Sequence, residues 1–256
     1  MSTHWMRLLS SHYVTVRERY PADKLLILFD IDGTILDMRH VIHHVLQGID
    51  RKHGARHFAH LHVADVTIHE EHIERFLDRF TIDPYEKRKI LTSYRDDFWS
   101  SAMASEAQKA FNGVLEIIRL FQMQPNTFVG LNTGRPEALR FNTLTSLNRL
   151  GKEYRIHFRD DMLYMKPGHP EVDITSAKVM GAEYFQSRGY RIFAMVDNEP
   201  ENLETLARHF TGHEMLFLHA DTISRSKPTL EHRQIVRGAS YDLDEFIDGF
   251  TLKRSA

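Results

Sequence analysis

Lys24-Leu-Leu-Ile-Leu-Phe-Asp30-Ile-Asp32-Gly33-Thr34 is the stretch on which the fold turns. A short unbroken apolar run that ends in acids and a glycine is the pattern of a strand buried on both faces. Such strands belong to parallel sheets, which hold their ligands at the carboxyl ends of the strands. Two similar runs lie downstream. Thr127-Phe-Val-Gly-Leu-Asn132 leads into Thr133-Gly134-Arg135-Pro136, and Arg191-Ile-Phe-Ala-Met-Val196 leads into Asp197. Met215-Leu-Phe-Leu218 is a fourth candidate. Helical spacing fills the gaps, over 111–123, 136–150, 175–188 and 199–209, with a further helix over 3–19. Strands alternating with helices predict an α/β fold built on a doubly wound parallel sheet.

One long interval, 37–110, has no strong strand pattern. It carries helical periodicity at Val41, Val45 and Ile49, and again at Ile73, Phe76, Leu77 and Phe80. Asp83-Pro84 reads as a helix start, with an acid to cap and proline at the first helical position. The expectation is a smaller helical domain over 37–110, inserted into a core formed by 1–36 and 111–256. Near the end, Leu216 to Asp221 suggests one more strand and Asp242 to Phe246 a short closing helix.

Composition narrows the chemistry. Apolar residues make up 42% of the 256, enough to bury a proper core. The absence of cysteine excludes disulfides, zinc–thiolate sites and a cysteine nucleophile. The formal net charge is −2 and no block of like charge stands out, so nothing in the sequence points to nucleic acid. Met1 to Asp23 holds only short apolar pairs, and no run approaches the length of a membrane span. The expectation is a cytoplasmic protein without a membrane partner.

The strand ends carry the chemistry. Asp30 and Asp32 stand two residues apart, a spacing that points side chains the same way in a strand. Carboxylates held so close repel, and a bound cation relieves them. Thr133 and Gly134 offer a hydroxyl and backbone amides suited to phosphate. Asp197 closes the third strand, with Glu199 and Glu201 beyond it, and Lys178 lies on the helix leading to that strand. Acids gathered in this way match a hard divalent cation such as Mg²⁺. The cation and Lys178 offset charge on a phosphate, and a carboxylate then becomes a workable nucleophile.

These motifs resemble, in order, those of the haloacid dehalogenase superfamily. Asp30-Ile-Asp32-Gly-Thr34 is similar to its first motif and Asn132-Thr133-Gly134-Arg135-Pro136 to its second. Lys178 resembles the third and Val196-Asp197-Asn198-Glu199-Pro200-Glu201-Asn202 the fourth. The resemblance implies that Asp30 attacks phosphorus, and that Asp32 protonates the leaving oxygen and then activates water. It implies that Thr133 holds the phosphoryl group and Lys178 steadies its charge. Mg²⁺ would sit on the Asp30 carboxylate, the Asp32 main-chain carbonyl and Asp197, with Glu201 acting through water. The insertion would be the helical cap that closes over the site. Lys166-Pro167 resembles an alternative form of the third motif, so Lys166 stands beside Lys178 as the phosphate-stabilising lysine. In the fourth motif Asn198 stands where an adjacent acid is common.

The resemblance implies a phosphatase acting on a small phosphorylated metabolite. Dehalogenases of the superfamily keep no acid at the position of Asp32, because a halide leaves without a proton whereas an alkoxide needs one. Phosphomutase, phosphonatase, a polynucleotide 3′-phosphatase-like activity and a non-catalytic binding module are the other readings. Arg135 has two open roles, binding substrate phosphate or capping a helix. Glu199 reads as an acid favouring a helix N-terminus. The histidines crowding the insertion, His69 and His72 among them, read as surface or packing groups, with a phosphate contact as the milder alternative. Phe76, Phe80, Tyr94, Phe98 and Trp99 read as the core of the insertion, with a substrate-stacking wall as the alternative.

Overall fold

The structure is a computed structural model and describes residues 4–102, 107–169, 171–225 and 235–251. Six parallel strands form one sheet in the order β3-β2-β1-β4-β5-β6. In chain order these are β1 (Lys24–Phe29), β2 (Thr127–Pro136), β3 (Leu163–Lys166), β4 (Tyr190–Asp197), β5 (Leu216–Ala220) and β6 (Ile235–Gly238). The helices are α1 (Trp5–Arg19), α2 (Met38–His53), α3 (Ile73–Leu77), α4 (Pro84–Ala102), α5 (Val114–Gln122), α6 (Arg140–Gly151), α7 (Ile174–Ser187), α8 (Pro200–His209) and α9 (Leu243–Thr251).

The apolar run of β1 is consumed on both faces. Leu25, Ile27 and Phe29 pack into a core with Leu9 of α1, Ile117 of α5 and Phe246 of α9. Leu26 and Leu28 pack into a second core with Phe185 of α7 and Leu206 of α8. Each of these side chains contributes roughly 1.5–3 kcal/mol by leaving water. A polar residue in the run would have to lie against one layer of helices or the other. The sheet is therefore doubly wound, as the sequence predicts.

The strand order reverses between β1 and β4, which are direct neighbours. In open α/β sheets that reversal opens a crevice outside the carboxyl ends of the strands. Asp30 leaves β1 there and Asp197 closes β4 there.

Differences from the sequence reading are local. β2 runs on through Thr133 and Gly134 to Pro136, because its far end pairs with β3, an edge strand the apolar pattern does not reveal. β3 and β6 are each four residues long and half-buried, too short for alternation or a run to register. Helix α6 starts at Arg140, after a 3-10 turn over Glu137–Leu139.

Between β1 and α5 the chain makes a long excursion. Leu36 bridges to Ala110, Asp37 N–H donates to the Lys109 carbonyl, and Phe111 N–H donates to the Ile35 carbonyl. Asp37 caps α2 by accepting from Arg39 N–H, and Gly54 ends that helix in the left-handed region. Helices α2 and α4 pack together, with Phe58, Phe76 and Phe80 in edge-to-face contact beneath them. Many histidines of this segment hold it together. His43 donates to the Leu61 carbonyl at 2.8 Å and His57 to Glu86 at 2.8 Å, while His53 shares a hydrogen bond with Ser93. Among the described residues no helix is long and apolar enough to cross a membrane.

Candidate active site

The turn after β1 sets the geometry. Gly33 has φ +79°, and a Cβ there would lie 2.3 Å from Asn198 Nδ2. Only glycine allows both the left-handed backbone and that approach. The turn closes through Gly33 N–H to the Leu36 carbonyl, which leaves Asp30 and Asp32 at the mouth of the crevice.

Asp30, Asp32, Thr133, Gly134, Arg135, Lys178 and Asp197 all border one pocket at the carboxyl ends of β1, β2 and β4. Lys178 reaches it from α7. Its Nζ donates to Asp30 Oδ1, to the Asn132 carbonyl at 2.7 Å, and lies 2.7 Å from Asp197 Oδ2. All three charged side chains are buried. Burial works against the lysine's charge, but Asp197 and Asp30 outweigh it and hold its pKa above the ordinary value. Burial lifts Asp30 above the usual carboxylate range; Lys178 opposes this, and the charges of Asp197 and Asp32 add to it. Asn132 fixes the lysine's helix in turn, donating from Nδ2 to the Lys178 carbonyl at 2.8 Å.

Arg135 is turned toward the second acid of the β1 end. Its buried guanidinium grips Asp32, with Nε donating to Oδ2 at 2.7 Å and Nη2 to Oδ1 at 2.6 Å. Nη1 donates to Thr143 at 3.2 Å, and the indole of Trp99 lies beneath, 5.8 Å from ring centre to guanidinium carbon. A paired, planar contact of this kind fixes a carboxylate in orientation as well as charge. Thr133 is buried and accepts from Arg135 N–H through Oγ1, which ties the two residues into one turn.

Two residues fall outside the pocket wall. Lys166 sits on the edge strand β3 and does not border the pocket, whereas Lys178 does. Glu201 opens α8 with its side chain 58% exposed, and its Oε2 lies 3.6 Å from Arg225. Asp197 instead accepts from Glu199 N–H at 2.8 Å and from Asn202 Nδ2 at 3.2 Å to each oxygen. An acid in the first turn of a helix gains from the helix dipole, which is sufficient reason for Glu201. Asn202, one residue on, has the side chain that turns inward.

The far wall belongs to the segment that runs from the 3-10 turn before α3 into α4. His69, Glu70, Glu71 and Trp99 border the pocket, opposite Glu199 and Arg225. His69 Nε2 lies 3.5 Å from Glu70 and 3.6 Å from Glu199. Burial, then the charges of His72 and Arg225, push His69 down to about 4, although Asp32 pulls the other way. Burial, then the Asp32 carboxylate, push Glu70 up to about 8. Tyr94 and Phe98 are buried core residues of this segment, so of the aromatics only Trp99 reaches the pocket. The sequence offers one signal for the wall, the polar cluster His69-Glu-Glu-His72, but no periodicity that says which way it faces.

The donor set fits a hard divalent cation. Asp30 and Asp197 share one lysine, so the buried trio carries one negative charge in excess. Among the described residues no three His, Asp or Glu side chains converge on one point. A cation here would therefore take two carboxylates and complete its shell with main-chain oxygen and water, which suits an ion that keeps several waters.

The fold is that of haloacid dehalogenase-like hydrolases. The chain is similar to a HAD-superfamily hydrolase of subfamily IA, variant 1, from Geobacter sulfurreducens, with TM-score 0.52 and 12% identity over 88% of this chain and 96% of that one. It is similar to a haloacid dehalogenase-like hydrolase candidate from Burkholderia xenovorans, with TM-score 0.52 and 14% identity over 91% and 98%. A candidate phosphatase from Clostridium difficile matches with TM-score 0.51 and 14% identity over 89% and 99%. No family model and no curated protein matches the sequence.

Proposed function

We propose that the protein is a Mg²⁺-dependent phosphatase that hydrolyses a small phosphorylated substrate through an aspartyl-phosphate on Asp30. The observation that carries this reading is the division of labour between two neighbouring carboxylates. Asp30 is buried against Lys178 and Asp197, while Asp32 is turned aside and held in both oxygens by Arg135. One acid is arranged to be a nucleophile and the other to move protons.

In the first half of the reaction Asp30 attacks phosphorus and Asp32 delivers a proton to the leaving oxygen. Thr133 and the Gly134 amide hold phosphoryl oxygens, and Lys178 offsets their charge. In the second half Asp32, having given up its proton and still oriented by Arg135, takes a proton from the water that attacks the phosphoenzyme. The Asp30 and Asp197 carboxylates and the Asp32 main-chain carbonyl would hold Mg²⁺, which would supply neutralising charge for the phosphoryl oxygens. The 37–110 segment acts as a cap, with His69, Glu70 and Trp99 excluding water from one side.

The test is phosphate release from a panel of phosphate monoesters, with Mg²⁺ and with chelator, for the wild type and Asp30→Asn. Release that needs Mg²⁺ and is lost in Asp30→Asn supports the reading. Release that persists in Asp30→Asn overturns it, and isomerised ester without free phosphate assigns a phosphomutase instead.

A further inference from the structure

A second cavity opens beside the catalytic pocket. It holds about 360 Å³ and shares Asp32, His69, Glu70 and Asn198 with that pocket. Asp32 is thus a wall between the two. A third cavity, of about 390 Å³, borders Glu70 and Trp99 but not Asp32. If Asp32 protonates the leaving oxygen, the body of the leaving group must extend past Asp32. Of the two cavities, only the one of about 360 Å³ lies there, and it is large enough for a small metabolite.

Its charges are spent. Arg39 is the one arginine or lysine among the described lining residues, and it clamps Asp37 with Nε at 2.8 Å and Nη2 at 2.6 Å. Asp221 accepts from Arg237 at 2.6 Å, and Asp32 is held by Arg135. Glu70 has no such partner. Among the described residues its carboxyl has one backbone hydrogen bond and an ionisable neighbour in His69, at 3.5 Å, whose ring burial keeps neutral. The remaining lining mixes apolar side chains (Met38, Ile68, Phe111, Ile223) with polar groups. Once Glu70 is ionised, above about pH 8, a second phosphate or a carboxylate placed here would meet acids and, among the described residues, no unengaged cation, which disfavours it strongly. A hydroxyl would find acceptors.

We infer that this cavity receives the leaving group, that the leaving group is an uncharged, hydroxyl-bearing body such as a sugar, polyol or nucleoside, and that Glu70 is the residue that turns away a second anion. The inference rests on the phosphatase reading and adds the class of substrate to it. Glu70 acts as a specificity residue, outside the bond-making groups.

The experiment compares kcat/KM at about pH 9, where the Glu70 carboxyl is ionised, for matched esters that differ by one anion. Glycerol 3-phosphate is set against 3-phosphoglycerate, and fructose 6-phosphate against fructose 1,6-bisphosphate, for the wild type, Glu70→Gln, Glu70→Ala and Asp30→Asn. The wild type should prefer the uncharged partner of each pair by about tenfold or more, and both Glu70 variants should shrink that ratio. Release that depends on Asp30 but favours the doubly anionic esters overturns the inference and leaves the phosphatase reading intact. The same holds for a wild-type preference that both Glu70 variants leave unchanged. Phosphate release that is absent, or indifferent to Asp30→Asn, removes the phosphatase reading and the inference with it.

Discussion

Replacing Glu70 with glutamine should stabilise the protein, and only at high pH. The carboxyl is pushed from its usual 4.5 to about 8, by burial first and then by the charge of Asp32, with smaller contributions from Glu71 and Glu199 against one opposing backbone hydrogen bond. The neighbouring His69 supplies no positive charge, since it is itself pushed down to about 4. A carboxyl with a raised folded pKa contributes fully below its unfolded value and loses that contribution as pH rises through the folded one. The window therefore runs from about 4.5 to about 8. At roughly 1.36 kcal/mol per pKa unit the ceiling is about 5 kcal/mol. The side chain keeps 17% of its exposure, and solvent relaxation around it brings the expected gain to about 2–3 kcal/mol. Glutamine keeps the shape and cannot ionise. Urea unfolding without divalent cations, at pH 5, 7 and 9, should show wild type and Glu70→Gln converging at pH 5 and the variant ahead at pH 9. A difference that is flat across this range, or that grows toward low pH, would refute the assignment of a buried, unpaired acid at this wall.

Lys178→Met should lower stability by about 3–5 kcal/mol, because it leaves Asp30 and Asp197 buried without their cation; thermal unfolding checks this, and an unchanged Tm counts against the buried trio. Arg135→Lys should reduce kcat about tenfold or more with KM little changed, since an ammonium cannot hold both oxygens of Asp32; a change confined to KM would mean that Arg135 serves ground-state binding. Saturating Mg²⁺, at about a hundred times its Kd, should stabilise the folded chain by about 2.7 kcal/mol. Asp197→Asn should abolish that gain, and an equal gain in the variant would remove Asp197 from the cation site.

What the sequence makes legible follows from how local each signal is. β1 and β4 announce themselves because central parallel strands are apolar on both faces. The acids at their ends stand out because charge is costly there without a purpose. Lys178 is also legible: a helix feeding directly into β4 must deliver its residues near that strand's neighbours. β3 and β6 stay hidden because an edge strand of four residues needs neither a run nor an alternation. The role of Arg135 is hidden for another reason. Its partner Asp32 is far away in sequence and no local pattern encodes a contact of that range. The same holds for Glu70 and His69, whose 3-10 turn has the polarity of a surface loop until the fold sets it over the pocket. Asn202 and Glu201 show how fine the margin is. On a helix one position separates a side chain that grips Asp197 from one that lies in solvent.

The central claim is that phosphate passes through the carboxylate of Asp30, and a trapped intermediate tests it most directly. Asp32→Asn should still accept a phosphoryl group but hydrolyse it slowly, because the base for water is gone. Acid quenching of that variant with a good substrate and Mg²⁺, followed by peptide mass spectrometry, should find one added phosphoryl group on Asp30. A phosphoryl group on another residue, or turnover by the wild type with no phosphoenzyme trapped under any quench, would contradict the account.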